Sequence, residues 1–311
     1  MVDFIGIGAA RSGTTWIASV LREHPELCIA EPKEIRYFNR YVIPIGADRG
    51  RLNPDFCRPR QWYLQHFRHC GSNRLKGEYS PIYLYDEAAP SAIRRSFPDV
   101  KLLCCLRNPV DRAYSHYWLS RGSGAIREMS FAQALREESV YVEMGFYARQ
   151  LGRYYRHFER RQMLVLLFED IVREPAREIA RILRFLGVQE HAGADPGHRS
   201  RNRSAGLRSK ELRRALYRAS RLLSAGGLSP VLRGLRKIGV HTLFNRLNSS
   251  AIRYPPMSAE LRRRLNDVFA ADTAALEALL EQDLSAWRYP AGLAEAAASP
   301  GAGAAGATVR G

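Results

Sequence analysis

Short apolar runs alternate along this chain with longer stretches in which apolar positions recur every three or four residues. The runs are Phe4 to Ile7, Leu27 to Ala30, the stretch from Leu75 that breaks at Pro81, Lys101 to Leu106 and Met163 to Phe168. Runs that stay apolar at successive positions predict strands covered on both faces. The stretches between them predict helices over Thr15 to Arg22, Gln61 to Cys70 and Pro90 to Phe97, then one opening at Pro109. More follow over Phe131 to Glu138, Phe146 to Phe158 and Pro175 to Leu186, the last stopped by Gly187. A final helix spans Ser258 to Glu281, with Ser258 as its N-cap. Strand and helix in turn predict an α/β fold, a central parallel sheet flanked by helices in three layers. Arg40 to Arg60, rich in Pro, Gly and Arg, reads as an irregular loop.

The first strand runs into a loop of small residues, Gly8 to Gly13, and then into a helix. Strand, glycine-rich loop and helix form a phosphate cradle: loop and helix-start N–H groups point at an anion and the helix dipole favours its charge. Gly8 and Gly13 have the spacing of a P-loop, which makes the expected fold P-loop-like. Nucleotide hydrolases place Lys-Ser or Lys-Thr after the last glycine; here Thr14 and Thr15 follow, and the cation is Arg11, inside the loop. That departure counts against ordinary ATP or GTP hydrolysis, which uses the lysine and a Mg²⁺ site. The segment alone fits a phosphate grip or a plain β–α turn equally.

Other chemistry sits where strands end, the edge at which open parallel sheets place ligands. Lys33 and Glu34 follow the second strand and Glu78 ends the third, near the same rim; alone, the Lys33–Glu34 turn reads as a solvated charged turn. Arg107 follows the fourth strand, and Ser115 lies two turns into the next helix. The planar fork of an arginine suits phosphate oxygens, so Arg107 and Ser115 are placed to converge on one anion. Arg112 serves surface pairing in an alternative reading, and Ser115 the helix surface. Ile82 to Tyr85 reads as core or as the wall of an acceptor cleft.

The chain has 311 residues, with 48 Lys and Arg against 31 Asp and Glu, a net charge of +17. That balance points to anionic partners. Much of it lies in 199–246, which holds 13 Lys and Arg and one acid, Glu211, interleaved with leucines. The segment reads as a basic helical insertion, either solvated or resting on an acidic acceptor or membrane surface. Residues 291–311 read as a disordered tail behind a domain spanning 1–290. Five cysteines, an odd number without framework spacing, predict reduced thiols and a cytoplasmic, at most membrane-peripheral, setting. Cys104 and Cys105, adjacent in a strand, are expected in the core on opposite faces. No metal-ligand cluster, signal peptide or membrane-spanning run is apparent.

Three ordered segments carry a resemblance. Gly8 to Thr15 (GAARSGTT), Pro32 to Phe38 (PKEIRYF) and Leu103 to Ser115 (LCCLRNPVDRAYS) resemble the 5′-phosphosulfate loop, the base-bearing segment and the 3′-phosphate strand and helix of sulfotransferases that use 3′-phosphoadenosine 5′-phosphosulfate (PAPS). The likeness is greatest to the heparan sulfate N- and O-sulfotransferase branch. Gly77 to Pro81 and Arg253 to Pro256 are weaker matches. Two positions depart from that branch: its loop lysine is Arg11, and the lysine after its strand-end glutamate is Tyr79.

The resemblance implies transfer of a sulfo group from PAPS to a hydroxyl or amine of a sugar, glycolipid or small metabolite. It leaves the bisphosphate PAP and needs no metal. It implies that Ala10, Arg11, Ser12, Gly13, Thr14 and Thr15 hold the 5′ end of the nucleotide, and that Arg107 and Ser115, with Arg253, hold the 3′-phosphate. Glu34 would be the general base, with Arg11 receiving the charge that develops on the oxygen leaving with the 5′-phosphate, and Lys33 either supporting the sulfonate or facing solvent. The rival readings are a P-loop kinase or NTPase, a non-catalytic PAP- or glycan-binding protein, and a nucleic-acid binder, for which no recognition motif is present.

Overall fold

The structure, a computed structural model, describes residues 1–42, 50–56, 58–190, 205–207, 249–251 and 254–288. Five strands form one sheet: β1 (Phe4–Gly8), β2 (Leu27–Ile29), β3 (Leu75–Tyr79), β4 (Lys101–Leu106) and β5 (Met163–Leu167). Their order is β2-β3-β1-β4-β5, and every neighbouring pair is parallel. The helices are α1 (Thr14–Glu23), α2 (Arg60–Leu64), α3 (Ala89–Ser96), α4 (Pro109–Ser123), α5 (Phe131–Glu137) and α6 (Val140–Glu143). They continue with α7 (Tyr147–Tyr155), α8 (Phe168–Arg173), α9 (Pro175–Leu186), α10 (Ala259–Leu280) and α11 (Ser285–Arg288). Two short strands, β6 (Ala205–Leu207) and β7 (Ser249–Ala251), pair antiparallel. The expected tail, and 199–246 apart from β6, lie outside the described residues.

The sheet is covered on both faces because its strands are apolar at successive positions. Ile5, Ile7, Leu102, Cys104 and Leu106 join one buried cluster with residues of α3, α4, α7 and α10. Phe4, Leu103, Cys105 and Leu166 join the other with Trp16, Ile17 and Leu21 of α1 and Ile179, Ile182 and Leu183 of α9. Cys104 and Cys105 therefore face opposite layers, as period-two alternation requires, and burial pushes both thiols up.

Local signals set the helix ends. Asn108 caps α4, its side chain accepting from the N–H groups of Val110 and Asp111. Ser258 caps α10 by accepting from Leu261 N–H, and Gly187 ends α9 at φ 82°. The helix expected over Gln61 to Cys70 is shorter: α2 passes into a 3₁₀ turn, Gln65–Phe67, before reaching Cys70.

The thiol expectation is corrected. Cys28 of β2 and Cys70 form a disulfide with Cα atoms 5.8 Å apart, at a sequence separation of 42. The fold brings the edge strand against the end of the 3₁₀ turn, a proximity that linear spacing does not reveal. His69 Nε2 lies 3.5 Å from Cys28 Sγ, so the fold gathers two sulfurs and a ring nitrogen at Cys28, His69 and Cys70, with both sulfurs engaged in the disulfide. The cystine removes one ground for expecting a cytoplasmic setting. No described helix is long and apolar enough to cross a membrane.

Candidate active site

β1, at the centre of the sheet, sits beside β4 and beside β3, which separates it from β2. The loops leaving the carboxyl ends of β1, β2, β3 and β4 thus share one rim, where the strand order changes direction. The side chains singled out from the sequence as site candidates, apart from Arg253 and from Glu78 and Tyr79 at the end of β3, are on one of those connections or on the helix that follows. Arg253 lies outside the described residues.

The β1 loop has the conformation its composition suggested. Gly13 adopts φ 76°, left-handed, and accepts at its carbonyl from the N–H groups of Trp16 and Ile17. A side chain there would be strained and would also crowd Phe168, 3.0 Å from the position of its Cβ. Arg11 is left-handed as well, at φ 72°, a conformation uncommon outside glycine, asparagine and aspartate. Ala10 is half-buried, Thr14 is buried and Thr15 is exposed. Ser12 is fully buried, and its hydroxyl has no hydrogen-bond partner among the described residues.

Three arginines converge behind this loop. Arg11 Nε donates to Ser115 Oγ at 3.1 Å, and Arg107 Nη1 donates to the Arg11 carbonyl at 3.3 Å. The Arg107 guanidinium also lies 4.9 Å from the centroid of the Phe168 ring, the ring packed against Gly13. Arg112 is wholly buried, not a surface residue, and its Nη2 donates to the Tyr141 carbonyl. No carboxylate pairs with Arg112 among the described residues. Burial lowers the Arg112 pKa to about 10, and Arg107 and Arg11 push it the same way. Burial likewise lowers Arg11, against a raising effect of Tyr254. Clustered cations with too little negative charge among them make an anion site.

The segment next to Arg253 reaches the same place. Tyr254 stacks on Trp118 of α4 with centroids 5.0 Å apart, and Tyr114 donates to the Pro255 carbonyl at 2.7 Å. Ser115, one residue from Tyr114, is buried and turned toward Arg11 rather than lying on the helix surface.

At the other end of the loop stands the β2 connection. Lys33 Nζ is 3.5 Å from Thr15 Oγ1 and 3.4 Å from Glu34 Oε1. Burial lowers the Lys33 pKa, partly offset by Glu34. The Glu34 carboxylate also accepts from Arg36 Nη2 at 2.8 Å and Nε at 3.2 Å, with 32% of its side chain still exposed. Lys33 and Glu34 are therefore not a freely solvated turn; they belong to the rim of the loop. Tyr79 is fully buried, its ring above Gly6, and the Lys33 ammonium lies 5.7 Å from its centroid.

Glu78 is not a second rim carboxylate. It is fully buried and accepts from Tyr63 and Tyr83 hydroxyls on Oε1 and from Ser80 Oγ and Ile35 N–H on Oε2. The sequence marked the residue but gave no sign of this enclosure, because Tyr63 comes from α2. Of Ile82 to Tyr85, residues 82–84 are buried and Tyr85 is half-buried. Ile82 and Tyr85 also border an open cavity of about 520 Å³ with Arg40, Tyr41, Arg149 and Arg153.

Comparison with known proteins adds an independent line. A family model described as "Sulfotransferase domain" matches residues 2–200. The chain is 31% identical over 149 residues to the Dictyostelium discoideum protein named membrane-associated sulfotransferase kil1, covering 45% of this chain and 29% of that one. It is 30% identical over 190 residues to mouse heparan sulfate glucosamine 3-O-sulfotransferase 6, covering 59% of this chain and 51% of that one. This chain thus spans about half or less of the length of those curated relatives. Among solved structures, a sulfotransferase from Alicyclobacillus acidocaldarius superimposes with a TM-score of 0.66 at 27% identity, covering 93% of this chain and 99% of the other.

Proposed function

Because the chain belongs to the sulfotransferase family, we propose that it transfers a sulfo group from PAPS to a hydroxyl or amine of an acceptor, releasing PAP. The observation that carries this reading is the bracketing of one loop: Arg107 and Ser115 meet Arg11 on one side of it, and Lys33 meets Thr15 on the other. Had Arg107 and Ser115 stood on another side of the sheet, no single nucleotide would span them.

The residues present fit the nucleotide. The unpartnered Ser12 hydroxyl and the N–H groups at the start of α1 suit a 5′-phosphate. Arg107 and Ser115 suit a 3′-phosphate, and Tyr254, stacked on Trp118, brings the described start of the last segment to α4. PAPS supplies an activated sulfo group: a bond forms between sulfur and the acceptor atom while the bond from sulfur to the 5′-phosphate oxygen breaks. Glu34 accepts the proton that the acceptor loses. Arg11, Thr14, Thr15 and the loop amides face the negative charge that grows on the departing phosphate oxygen. Lys33 stands in for the lysine that Tyr79 replaces, approaching the same loop from the β2 connection. A metal has no step in this scheme.

A kinase or NTPase reading is less well supported, since the cation of the loop is Arg11 on a left-handed residue rather than a lysine at the helix start. The acceptor class we propose is polyhydroxylated: a sugar, a glycolipid or a hydroxylated metabolite. The names of the relatives, heparan sulfate glucosamine 3-O-sulfotransferase and membrane-associated sulfotransferase, favour a glycan or a glycolipid. The cavity beside Arg40, Tyr85 and Arg153 offers such a molecule ring and guanidinium contacts.

The test is incubation with ³⁵S-labelled PAPS and a panel of glycans, glycolipids and phenols, read by mass spectrometry. Labelled product and PAP in equal amounts are expected. PAP binding with no transfer across the panel would favour a binding protein, and phosphoryl transfer from Mg·ATP would favour the kinase reading.

A further inference from the structure

The backbone that carries Glu34 is irregular, and three consecutive amides beyond Glu34 are all captured from one source. Ile35 N–H donates to Glu78 Oε2 at 3.3 Å, Arg36 N–H to Ser80 Oγ at 3.0 Å and Tyr37 N–H to the Tyr83 hydroxyl at 2.8 Å. Ser80 and Tyr83 in turn donate to Glu78, at 2.7 and 2.9 Å. Tyr63 adds a fourth donor at 2.9 Å. Each hydroxyl that accepts an amide proton must send its own proton to Glu78, so the network has one consistent proton order, and it requires an ionised carboxylate. A proton on either oxygen displaces one of the four donors. Arg36, the middle residue, is left-handed at φ 58°, so the turn is held in a conformation its own sequence does not favour.

We propose that Glu78 is a positioning residue whose buried carboxylate orders Ser80 and Tyr83 into a template for the Ile35–Tyr37 backbone, aiming Glu34, and that protonation of Glu78 releases this template. The inference rests on the reading of Glu34 as the base and adds a pH-sensitive support to it. The titratable groups that face Glu78 are Tyr63 from α2 and Tyr83 from the turn after β3, with Tyr37 behind Tyr63. Burial, then the charge of Glu78, pushes the phenols of Tyr63 and Tyr83 well up, so both remain donors. No lysine or arginine bonds Glu78 among the described residues. Burial raises Glu78 to about 7, opposed by its hydrogen bonds from Ser80, Tyr63 and Tyr83. The release therefore falls in the neutral range.

Tyr63 provides the discriminating test, since its hydroxyl bonds Glu78 and none of the three amides. Hydrogen exchange of the peptide containing residues 35–37 is followed by mass spectrometry from pH 6 to 8, corrected for intrinsic rates. The wild-type chain should lose about tenfold in protection as pH falls through 7, the effect of one weakened hydrogen bond. Y63F keeps the ring and removes one donor that favours the ionised form, so its midpoint should move to higher pH. E78Q should show low protection without a midpoint. PAP affinity reports that each variant is folded, and if E78Q does not fold, Y63F decides alone. Protection that is flat across the range, or an identical midpoint in Y63F, overturns the proposal. Failure of the sulfotransfer reading would instead appear as absent label transfer with these midpoints unchanged.

Discussion

Arg11 Nε donates to Ser115 Oγ at 3.1 Å across 104 residues of sequence. That bond joins the loop after β1 to the helix after β4, and Arg107 reinforces it by donating to the carbonyl of Arg11. If the two connections hold opposite ends of one nucleotide, removing Arg107 should cost charge-assisted hydrogen bonds, about 1.5–3 kcal/mol. R107A is expected to weaken PAP binding by roughly ten- to a hundredfold by calorimetry, and S115A by less. Unchanged affinity in R107A rejects the assignment of the 3′-phosphate.

Glu34 is partly exposed and held by Lys33 and Arg36. As a general base it contributes to turnover rather than to nucleotide affinity. E34Q should lower kcat by about 10²- to 10⁴-fold while PAP binds as in the parent. Near-normal turnover would remove Glu34 from that role.

Lys33 reaches the loop from a different connection than the lysine that Tyr79 replaces, and the buried Tyr79 ring leaves no side chain there to reach the loop as a cation. K33M should reduce kcat by about 10- to 100-fold, the effect of removing a group that stabilises developing charge. Equal turnover in K33M and wild type would show the ammonium to be a neighbour of Glu34 only.

The Cys28–Cys70 bond closes a segment spanning 42 positions. By the loop-entropy estimate a crosslink of this span is worth about 3–4 kcal/mol. Thermal melts of the native chain with and without a dithiol reductant should therefore separate by several degrees, and a C28S/C70S variant should melt with the reduced form. Coincident melts would mean that the bond does not form in solution.

Glu78 also predicts how global stability varies with pH. Its ordinary value is 4.5 and burial raises it to about 7 in the fold. Between these values the folded chain holds more protons than the unfolded one, so this group's contribution is fully present below pH 4.5 and is lost as pH rises through 7. The difference is on the order of 3 kcal/mol. Urea melts at pH 5 and pH 8 should show it in the wild type and lack it in E78Q. Global stability and the local template thus respond in opposite directions. A neutral carboxyl is easier to bury, but it holds three amides less well.

Much of the architecture follows from the sequence alone. Doubly buried strands need unbroken apolar runs, and Lys101 to Leu106 or Met163 to Leu167 admit few other readings. Glycine spacing after β1, Asn108 and Ser258 at helix starts and Gly187 at a helix end fix local backbone, since each residue type solves a local steric or hydrogen-bonding problem. The motifs at Gly8 to Thr15, Lys33 to Glu34 and Arg107 to Ser115 were legible because each sits at a strand end, and parallel strands share one carboxyl rim.

What only the tertiary structure decided is which of those groups meet and which are enclosed. Spacing along the chain cannot tell that Arg112 is buried behind Arg11 or that Cys28 faces Cys70. Nor can it tell that Tyr63, from a helix between β2 and β3, closes over Glu78. Those facts depend on the order β2-β3-β1-β4-β5, a long-range pairing with no local signature. Chemistry-bearing residue types are set by sequence, whereas their charge states and partners are set by burial, which is a property of the packed chain.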